Sequence, residues 1–580
     1  MKKFNIHFYL LLYIVITVAI SDIIIYFLKS NFIITNLIIG LLLSFISYLL
    51  KKKKIITFES NFSKVDIIFI VCLIGYLIIS IVFPDLSWDT RSYHIYLQEN
   101  VFEDKLNYDF FAGRNLNSFL FALGDRVNYL FRYILGYRLG TVISYYLILV
   151  LFYQVKRFLI KNSECKSEKF ISIFSIFPVM MSVVFSFTGT YYIDNFGLVF
   201  LMEIFYCALY EEDIFKDKIK LYVLVILIGI SIGMKVTNII FLLPLGVYYL
   251  IKNFKELKYL KFYDYIIVFG LLVLPWGIYA IDSYVQTGNP VFPYYNNIFK
   301  SEYFMEESWK DTNFGPKNFI QFLIWPLYII VNPKSAFDTK FVDFGWGIGY
   351  IAILGYIIYS IKNKKILKTK LFVLSIIVFI DYYLWQILLI GYVRYASILL
   401  ILSLIVVITI ISKFYERKKI EFFILSFIFI ILCLPSLAYD FLIIVKDYNN
   451  VNEFVSEYKS NFCKLVKDRN IEKINIDGIL GAIADDSLLS TLLRNYNVIY
   501  NLEEWVTITN DKTEEMYSDK IKNKTIFVLV DKLTLELKKD YLNRNNFEIF
   551  DIKELFGDYN FLSPSDKLYL FEVQKKAENQ

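Results

Sequence analysis

The chain alternates between long apolar stretches and short polar breaks. A helix crosses the hydrocarbon core of a bilayer in about 20 residues, with roughly 17–25 tolerated. Runs of that kind, rich in Ile, Leu, Phe and Tyr, lie at 7–28, 31–50, 66–83, 138–155, 169–187, 193–211, 220–236, 238–251, 264–285, 345–361, 371–392, 395–412 and 421–443. The pattern predicts an α-helical polytopic membrane protein with about 13 transmembrane helices over residues 1–445. The eighth run is short and needs its flanking residues to span.

Two segments interrupt the series. Within 84–137, Leu116, Phe119, Leu120, Leu123, Val127, Leu130 and Phe131 recur at helical spacing against Asp125, Arg126 and Arg132. That predicts interfacial amphipathic helix in a first outer loop. Residues 286–344 open on Gly288-Asn289-Pro290 and form a second large outer loop, whose apolar piece 319–331 is too short to cross. From about 446 the pattern becomes polar. Helix-like runs (450–467, 480–495, 532–545) alternate with strand-like ones (473–477, 497–501, 525–531, 566–573), which predicts a small α/β domain over 446–580. It carries no catalytic signature; a scaffold or acceptor-binding role is the expectation.

Composition agrees with the pattern and charge orients it. The 580 residues are 57% hydrophobic and 19% aromatic, with mean hydropathy +0.51, whereas soluble chains run about 45–50% apolar. A net charge of +6 does not indicate a nucleic-acid partner here, because Lys and Arg in a membrane protein report orientation. With Lys2 and Lys3 inside, alternate breaks are basic: Lys51 to Lys54; Lys156, Arg157 and Lys161; Lys216, Lys218 and Lys220. The series continues with Lys252, Lys255, Lys258 and Lys261, then Lys362 to Lys370, then Lys413, Arg417, Lys418 and Lys419. The expected protein is therefore a multi-pass cell-membrane protein with a cytoplasmic N-terminus and an extracytoplasmic C-terminal domain. The weak joint is 220–251. Read as one helix it would be about half again too long for a bilayer, so a hairpin is expected.

The 5 cysteines form no CxxC pair and the 2 histidines, His7 and His94, form no metal motif, so no cofactor and no metal site are indicated. The first apolar run follows Met1-Lys2-Lys3, is long and lacks a small-residue cleavage site; it reads as a retained helix.

Polar groups at the membrane boundary invite a functional reading because they are costly there. The topology puts four at the outer surface: Asp89 (Trp88-Asp89-Thr90-Arg91-Ser92-Tyr93-His94), Asp194 (Tyr192-Ile193-Asp194-Asn195), Lys235 (Gly233-Met234-Lys235) and Arg394 (Gly391-Tyr392-Val393-Arg394-Tyr395). Two carboxylates and two cations at one depth suit transfer from a sugar on a lipid phosphate. One carboxylate takes the proton of an incoming hydroxyl, and the cations meet charge developing on the departing phosphate. Arg is apt because its planar fork holds two phosphate oxygens. Each of the four is also compatible with a solvated helix end. Arg91 and His94 are compatible with ordinary interfacial polar groups, and Glu203 and Asp381, inside predicted spans, with packing or lining groups. The tyrosines read mainly as interface belt and core.

These motifs resemble those of GT-C-type glycosyltransferases, the protein O-mannosyltransferase and aminoarabinose-transferase-like membrane proteins. Trp88-Asp89 followed by Tyr93-His94 is similar to the family's first-outer-loop motif, and Tyr192-Ile193-Asp194-Asn195 to its second acidic motif. Gly229-Ile230-Ser231-Ile232-Gly233-Met234-Lys235 resembles its glycine-rich span ending in lysine. Gly288-Asn289-Pro290-Val291-Phe292-Pro293 and Arg394-Tyr395 resemble two further signatures. The resemblance implies a GT-C-like helix bundle and a polyprenyl-phosphate-linked sugar donor. The acceptor would be a glycan, lipid or protein hydroxyl, and membrane lipids surround the bundle. It implies Asp89 as catalytic base and Asp194 as a second acidic or orienting group. Lys235 and Arg394 would be phosphate-side cations, with Tyr395, His94, Arg91 and Tyr93 lining the substrate. Asp89 is followed by Thr90 where many relatives have an acidic pair, so the proton chemistry would rest on Asp89 alone. Two other classes fit a lipid-linked glycan: a flippase or transporter, which favours internal repeats and mid-membrane charges, and a polymerase or ligase with arginines in its outer loops.

Overall fold

The computed structural model describes residues 3–53, 57–59, 63–82, 85, 87, 89–94, 97–98, 101–102, 120–301, 306–308, 313–337, 341–364, 366–415 and 419–446, and the backbone of five later strands. Trp88, most of the run 115–135 before Leu120, and the helix-like runs of the C-terminal region lie outside the described residues.

The chain is a helical, multi-pass membrane protein. Its longer described helices, in order, are α1 (Ile6–Leu28), α2 (Phe32–Lys52), α3 (Lys64–Val82), α4 (Leu123–Gly140), α5 (Val142–Asn162), α6 (Glu168–Val179), α7 (Asp194–Tyr210) and α8 (Lys218–Met234). They continue as α9 (Ile239–Asn253), α10 (Phe262–Val273), α11 (Gly277–Thr287), α12 (Phe319–Val331), α13 (Gly345–Lys362), α14 (Lys370–Leu388), α15 (Ser397–Ser412) and α16 (Lys419–Lys446). Polar residues at the breaks start several of them by taking up orphan N–H groups. The Asn5 side chain accepts from His7 and Phe8, Asn31 from Ile34, Ser167 from Phe170 and Thr369 from Phe372.

Every predicted run contains helix, but not every run is one long span. Among the described residues, 7 helices are long and apolar enough to cross a membrane, or 8 if a bent pair is one span. The expected number was about thirteen. Two of the runs are interrupted locally. Pro178 lies in the last turn of α6, which stops at Val179. The break expected within 220–251 is present: Lys235 adopts extended backbone and ends α8 after 17 residues, about the length of the predicted run. The run 264–285 is not one helix; α10 and α11 meet at a 67° bend around Pro275, where a proline removes a backbone donor.

Helices α7 and α15 are buried along nearly their whole length, as expected for helices apolar on every face. By contrast, α2 and α3 turn Leu37, Leu41, Phe45, Ile68, Val71 and Ile78 outward, a surface suited to lipid. Glycines set the closest helix approach. A Cβ on Gly229 would stand 2.4 Å from the Leu272 carbonyl oxygen, and one on Gly233 3.0 Å from that of Pro275. The glycine-rich span is thus a close-packing face against α10 and the bend after it.

Helix α4 corrects the expectation of a polar face turned to water. Asp125, Arg126, Asn128 and Arg132 are buried, while Tyr133, Ile134 and Leu135 face outward. The periodicity is there, but its polar side points into the protein, where it finds charged partners.

Charged pairs gather at both ends of the bundle. At the end of the Lys-rich breaks, Lys156 lies 2.7 Å from Asp66 and Lys218 2.5 Å from Asp264. Glu203 is held there by Arg157 at 2.9 and 2.8 Å, so it is a buried, paired group. Near the opposite end, Arg126 of α4 forks onto Asp22 of α1 at 3.0–3.2 Å. Its Nη1 donates to the Gln98 carbonyl at 2.8 Å, and the Tyr279 hydroxyl of α11 donates to Asp22 at 2.7 Å.

Strand β1 (Lys3–Asn5) pairs in parallel with β2 (Thr57–Glu59). In the C-terminal region β3 (Lys473–Ile476), β4 (Asn497–Tyr500), β5 (Ile526–Asp531), β6 (Phe547–Glu554) and β7 (Leu568–Lys575) form one sheet of order β4-β3-β5-β7-β6. Strand β3 is parallel to β4 and β5, and β7 is antiparallel to β5 and β6. Four of these strands lie on the predicted runs; β6 is additional.

Candidate active site

Four helix ends supply the site. Asp194 is the first residue of α7, where the helix dipole favours a carboxylate, and Lys235 caps the C-terminal end of α8, where it favours a cation. Asp89 directly precedes a π-helical turn, Thr90–His94. Arg394 lies in a 3-10 turn, Val393–Ala396, just before α15.

The loop before Arg394 is held by two indoles. Trp325 of α12 donates to the Gly391 carbonyl at 3.0 Å, and Trp385 of α14 to that of Tyr392 at 2.9 Å. Gly391 has φ +65°, and a Cβ there would stand 2.4 Å from Trp325 Nε1. Only glycine meets both demands without strain. The apolar piece 319–331 is therefore a 13-residue helix whose buried tryptophan supports the arginine turn.

Arg394 joins the two carboxylates. Its Nε is 3.1 Å from each Asp194 oxygen and its Nη2 is 2.9 Å from Oδ2, while Nη1 donates to Asp89 Oδ2. Lys235 Nζ is 2.5 Å from Asp194 Oδ1, and the Tyr93 hydroxyl donates to Asp89 Oδ2 at 3.2 Å. Aromatic faces hold both cations. Lys235 Nζ lies 4.4 Å from the Tyr395 ring centroid, and the guanidinium carbon of Arg394 4.4 Å from that of Tyr192 and 5.4 Å from that of Phe187. Side-chain exposure is 3% at Asp194 but 13% at Asp89, 14% at Arg394 and 16% at Lys235. None of the four is a solvated helix end, and three remain reachable from outside.

The remaining expected residues divide. His94 is buried, not interfacial; its Nδ1 is 2.8 Å from Asp125 Oδ1 and its ring packs on Tyr93 and Tyr192. Burial pushes the Asp125 carboxyl above the usual carboxylate range, and His94 opposes that shift. The side chain of Arg91 lies outside the described residues. Asp381 is fully buried in α14, and among the described residues neither carboxyl oxygen has a hydrogen-bond partner.

Asp85 went unnoticed in the sequence. Its carboxylate accepts from the Ser87 N–H (2.9 Å), the Thr90 hydroxyl (2.6 Å) and the Tyr191 N–H (2.8 Å). The Tyr137 hydroxyl donates to the Asp85 carbonyl, and the Tyr191 hydroxyl to the Tyr137 carbonyl. Asp85 thus ties the turn after Asp89 to the segment that leads into Asp194. Burial raises its carboxyl, partly offset by these donors. Its only sequence signal was an acidic residue directly after an apolar run, a signal it shares with many solvated loops.

Two carboxylates and two cations in one partly dry cluster make a poor stabiliser, because desolvation offsets much of their attraction. Such a cluster is suited to hold an anion near a proton acceptor. No group of three or more His, Cys, Asp or Glu positioned to hold a metal ion occurs among the described residues. Comparison of the chain with family models, curated proteins and solved structures gave no match.

Proposed function

We propose that this membrane protein is a glycosyltransferase. It moves a sugar from a polyprenyl-phosphate donor to an acceptor hydroxyl on the outer face, in assembly of a cell-surface glycan or glycoconjugate. The observation that supports it most is the single guanidinium shared by Asp89 and Asp194, with Lys235 on the same Asp194. In this reading the fold is GT-C-like. The N-terminus and the Lys-rich breaks are cytoplasmic, and the C-terminal region is an α/β domain outside.

The geometry supports the following roles. Arg394 and Lys235 bind the donor phosphate and stabilise the charge it gains. Asp194, saturated by both cations, positions them and is a poor proton acceptor. Asp89 is the general base. The acceptor oxygen attacks the anomeric carbon, the bond from that carbon to the phosphate oxygen breaks, and its electron pair stays on the phosphate. The acceptor proton passes to Asp89. Attack opposite the leaving phosphate inverts the anomeric centre. Tyr93, Tyr192 and Tyr395 line the reacting region.

The 67° bend between α10 and α11 favours a transporter, since broken helices mark many of their substrate sites. The four ionic side chains come from other helix ends and none from α10 or α11, which speaks for the transferase. The test is Asp89→Asn in purified protein supplied with polyprenyl-phosphate hexoses and pentoses and a cell-envelope acceptor fraction. Release of polyprenyl phosphate is expected to fall at least about 100-fold, in line with loss of a general base, with membrane insertion unchanged. Turnover at the wild-type rate would remove Asp89 from the mechanism.

A further inference from the structure

The first turn of α4 touches the segments that carry Asp89, Asp194 and Lys235. A Cβ on Gly124 would stand 2.8 Å from Ile193 Cγ2 and 3.3 Å from Met234 Sδ, and these two residues directly precede Asp194 and Lys235. A Cβ on Gly233 would likewise stand 3.2 Å from Leu123 Cδ2. One turn further on, the Asn128 amide donates to the Tyr191 carbonyl at 2.8 Å. Between these contacts, Asp125 Oδ1 meets His94 Nδ1 at 2.8 Å, with side-chain exposures of 0% and 1%. His94 is the last residue of the turn Thr90–His94 that follows Asp89. Its ring centroid lies 4.2 Å from that of Tyr93, whose hydroxyl donates to Asp89 Oδ2 at 3.2 Å. The other end of the turn is held separately, by the Thr90 hydroxyl on Asp85 at 2.6 Å.

The buried pair is a poor choice for stability alone. Desolvation offsets much of the attraction between two ionisable groups, and neither His94 Nε2 nor Asp125 Oδ2 has a hydrogen-bond partner among the described residues. An apolar contact would join α4 to the turn at lower cost, but it is non-directional. A hydrogen bond from a ring nitrogen to a carboxylate fixes the ring's angle as well as its distance. We propose that Asp125 and His94 are positioning residues, which orient the turn and its Tyr93 so that Asp89 stands at one place against Arg394. The importance of that place rests on the transferase reading, in which Asp89 is the base. Both residues are buried, so they act through Tyr93 and Asp89 and not on the substrate. Because Gly124 packs against the residues before Asp194 and Lys235, the same helix turn registers the base side of the site against its phosphate side.

The test is the double variant His94→Phe with Asp125→Leu, beside Asp125→Asn and wild type, as full chains in detergent micelles. Replacing both partners strands no buried carboxylate, so the double variant is expected to fold. Its maximal rate of polyprenyl phosphate release is expected to fall about 10- to 100-fold, since a misplacement of about 1 Å costs on the order of 100-fold. Equilibrium binding of farnesyl phosphate is expected to stay at the wild-type level, because Gly124 and its contacts are untouched. Asp125→Asn keeps an acceptor for the ring N–H and is expected to retain a higher rate than the double variant. Backbone amides of 90–94 are expected to exchange with deuterium faster in the double variant, with those of α7 unchanged. A wild-type rate, a farnesyl phosphate affinity reduced as much as the rate, or an Asp125→Asn rate no higher than that of the double variant overturns the proposal. Unchanged exchange over 90–94 overturns it too. If wild type releases no polyprenyl phosphate, the transferase reading falls, and the exchange measurement alone decides the positioning role.

Discussion

Replacing Arg126 with methionine tests whether the polar face of α4 is buried as described, and it needs no knowledge of the substrate. Arg126 has 4% of its side chain exposed and Asp22 none. Three nitrogen–oxygen contacts of 3.0–3.2 Å join them. Arg126 also donates to the Gln98 carbonyl and packs 4.2 Å over the Phe32 ring. Arg126→Met keeps most of the side-chain volume but strands a carboxylate whose remaining described donor is Tyr279. Breaking a buried pair on one side costs about 3–5 kcal/mol, whereas replacing both partners with apolar residues is often neutral or stabilising. Asp22→Leu with Arg126→Met should therefore cost much less than the sum of the single changes, giving a coupling of several kcal/mol. Reversible unfolding in mixed micelles, followed by tryptophan fluorescence, measures all four proteins of the cycle. A cost below about 1 kcal/mol for Arg126→Met, or additive single changes, would refute the buried pair and with it the inward orientation of α4.

Two further outcomes follow from packing. Asp381→Leu should stabilise the protein by about 1–3 kcal/mol, because it removes a buried acid with no hydrogen-bond partner among the described residues; a clear loss of stability in the same unfolding assay would mean that the carboxyl has a partner in the membrane. Gly229→Ala places a methyl 2.4 Å from the Leu272 carbonyl, so it should cost about 1–3 kcal/mol and weaken farnesyl phosphate binding by shifting Lys235 at the end of the same helix. Unchanged stability and binding would show that α8 and α10 are not in backbone contact.

The helical framework was legible because the bilayer imposes one length and one polarity on every crossing segment. Each predicted run contains helix, and the capping residues Asn5, Asn31, Ser167 and Thr369 lie at the polar breaks. Hydropathy averages over a window, so it missed interruptions that one residue makes, such as the end of α6 at Pro178 and the bend at Pro275, whereas the break at Lys235 fell where the span pattern put it. The candidate site was legible in part for the same reason. Asp89, Asp194, Lys235 and Arg394 stood out as charged residues at span ends, where burial is costly. Asp85, directly after an apolar run, shared that place with many solvated loop acids, and Asp125 sat on the polar face of an amphipathic helix that water could also satisfy. Asp22 is different: an acidic residue inside the first apolar run was a signal for a buried partner, and that signal was available.

Hydropathy along the chain is enough to show a membrane protein, where its helices lie and which charged residues sit at their ends. These properties follow from local composition against a slab of fixed thickness. The tertiary structure decided which charges meet. Arg394 lies 305 residues from Asp89 and 200 from Asp194, and Arg126 lies 104 from Asp22. Pairing at such separations depends on how helices pack, and packing turns on side-chain volumes at close approaches such as Gly229 and Gly391. It also decided which way α4 turns its polar face. Periodicity fixes that the two faces differ, but water and a buried ionic partner can each satisfy the polar one, and only the neighbouring helices choose between them.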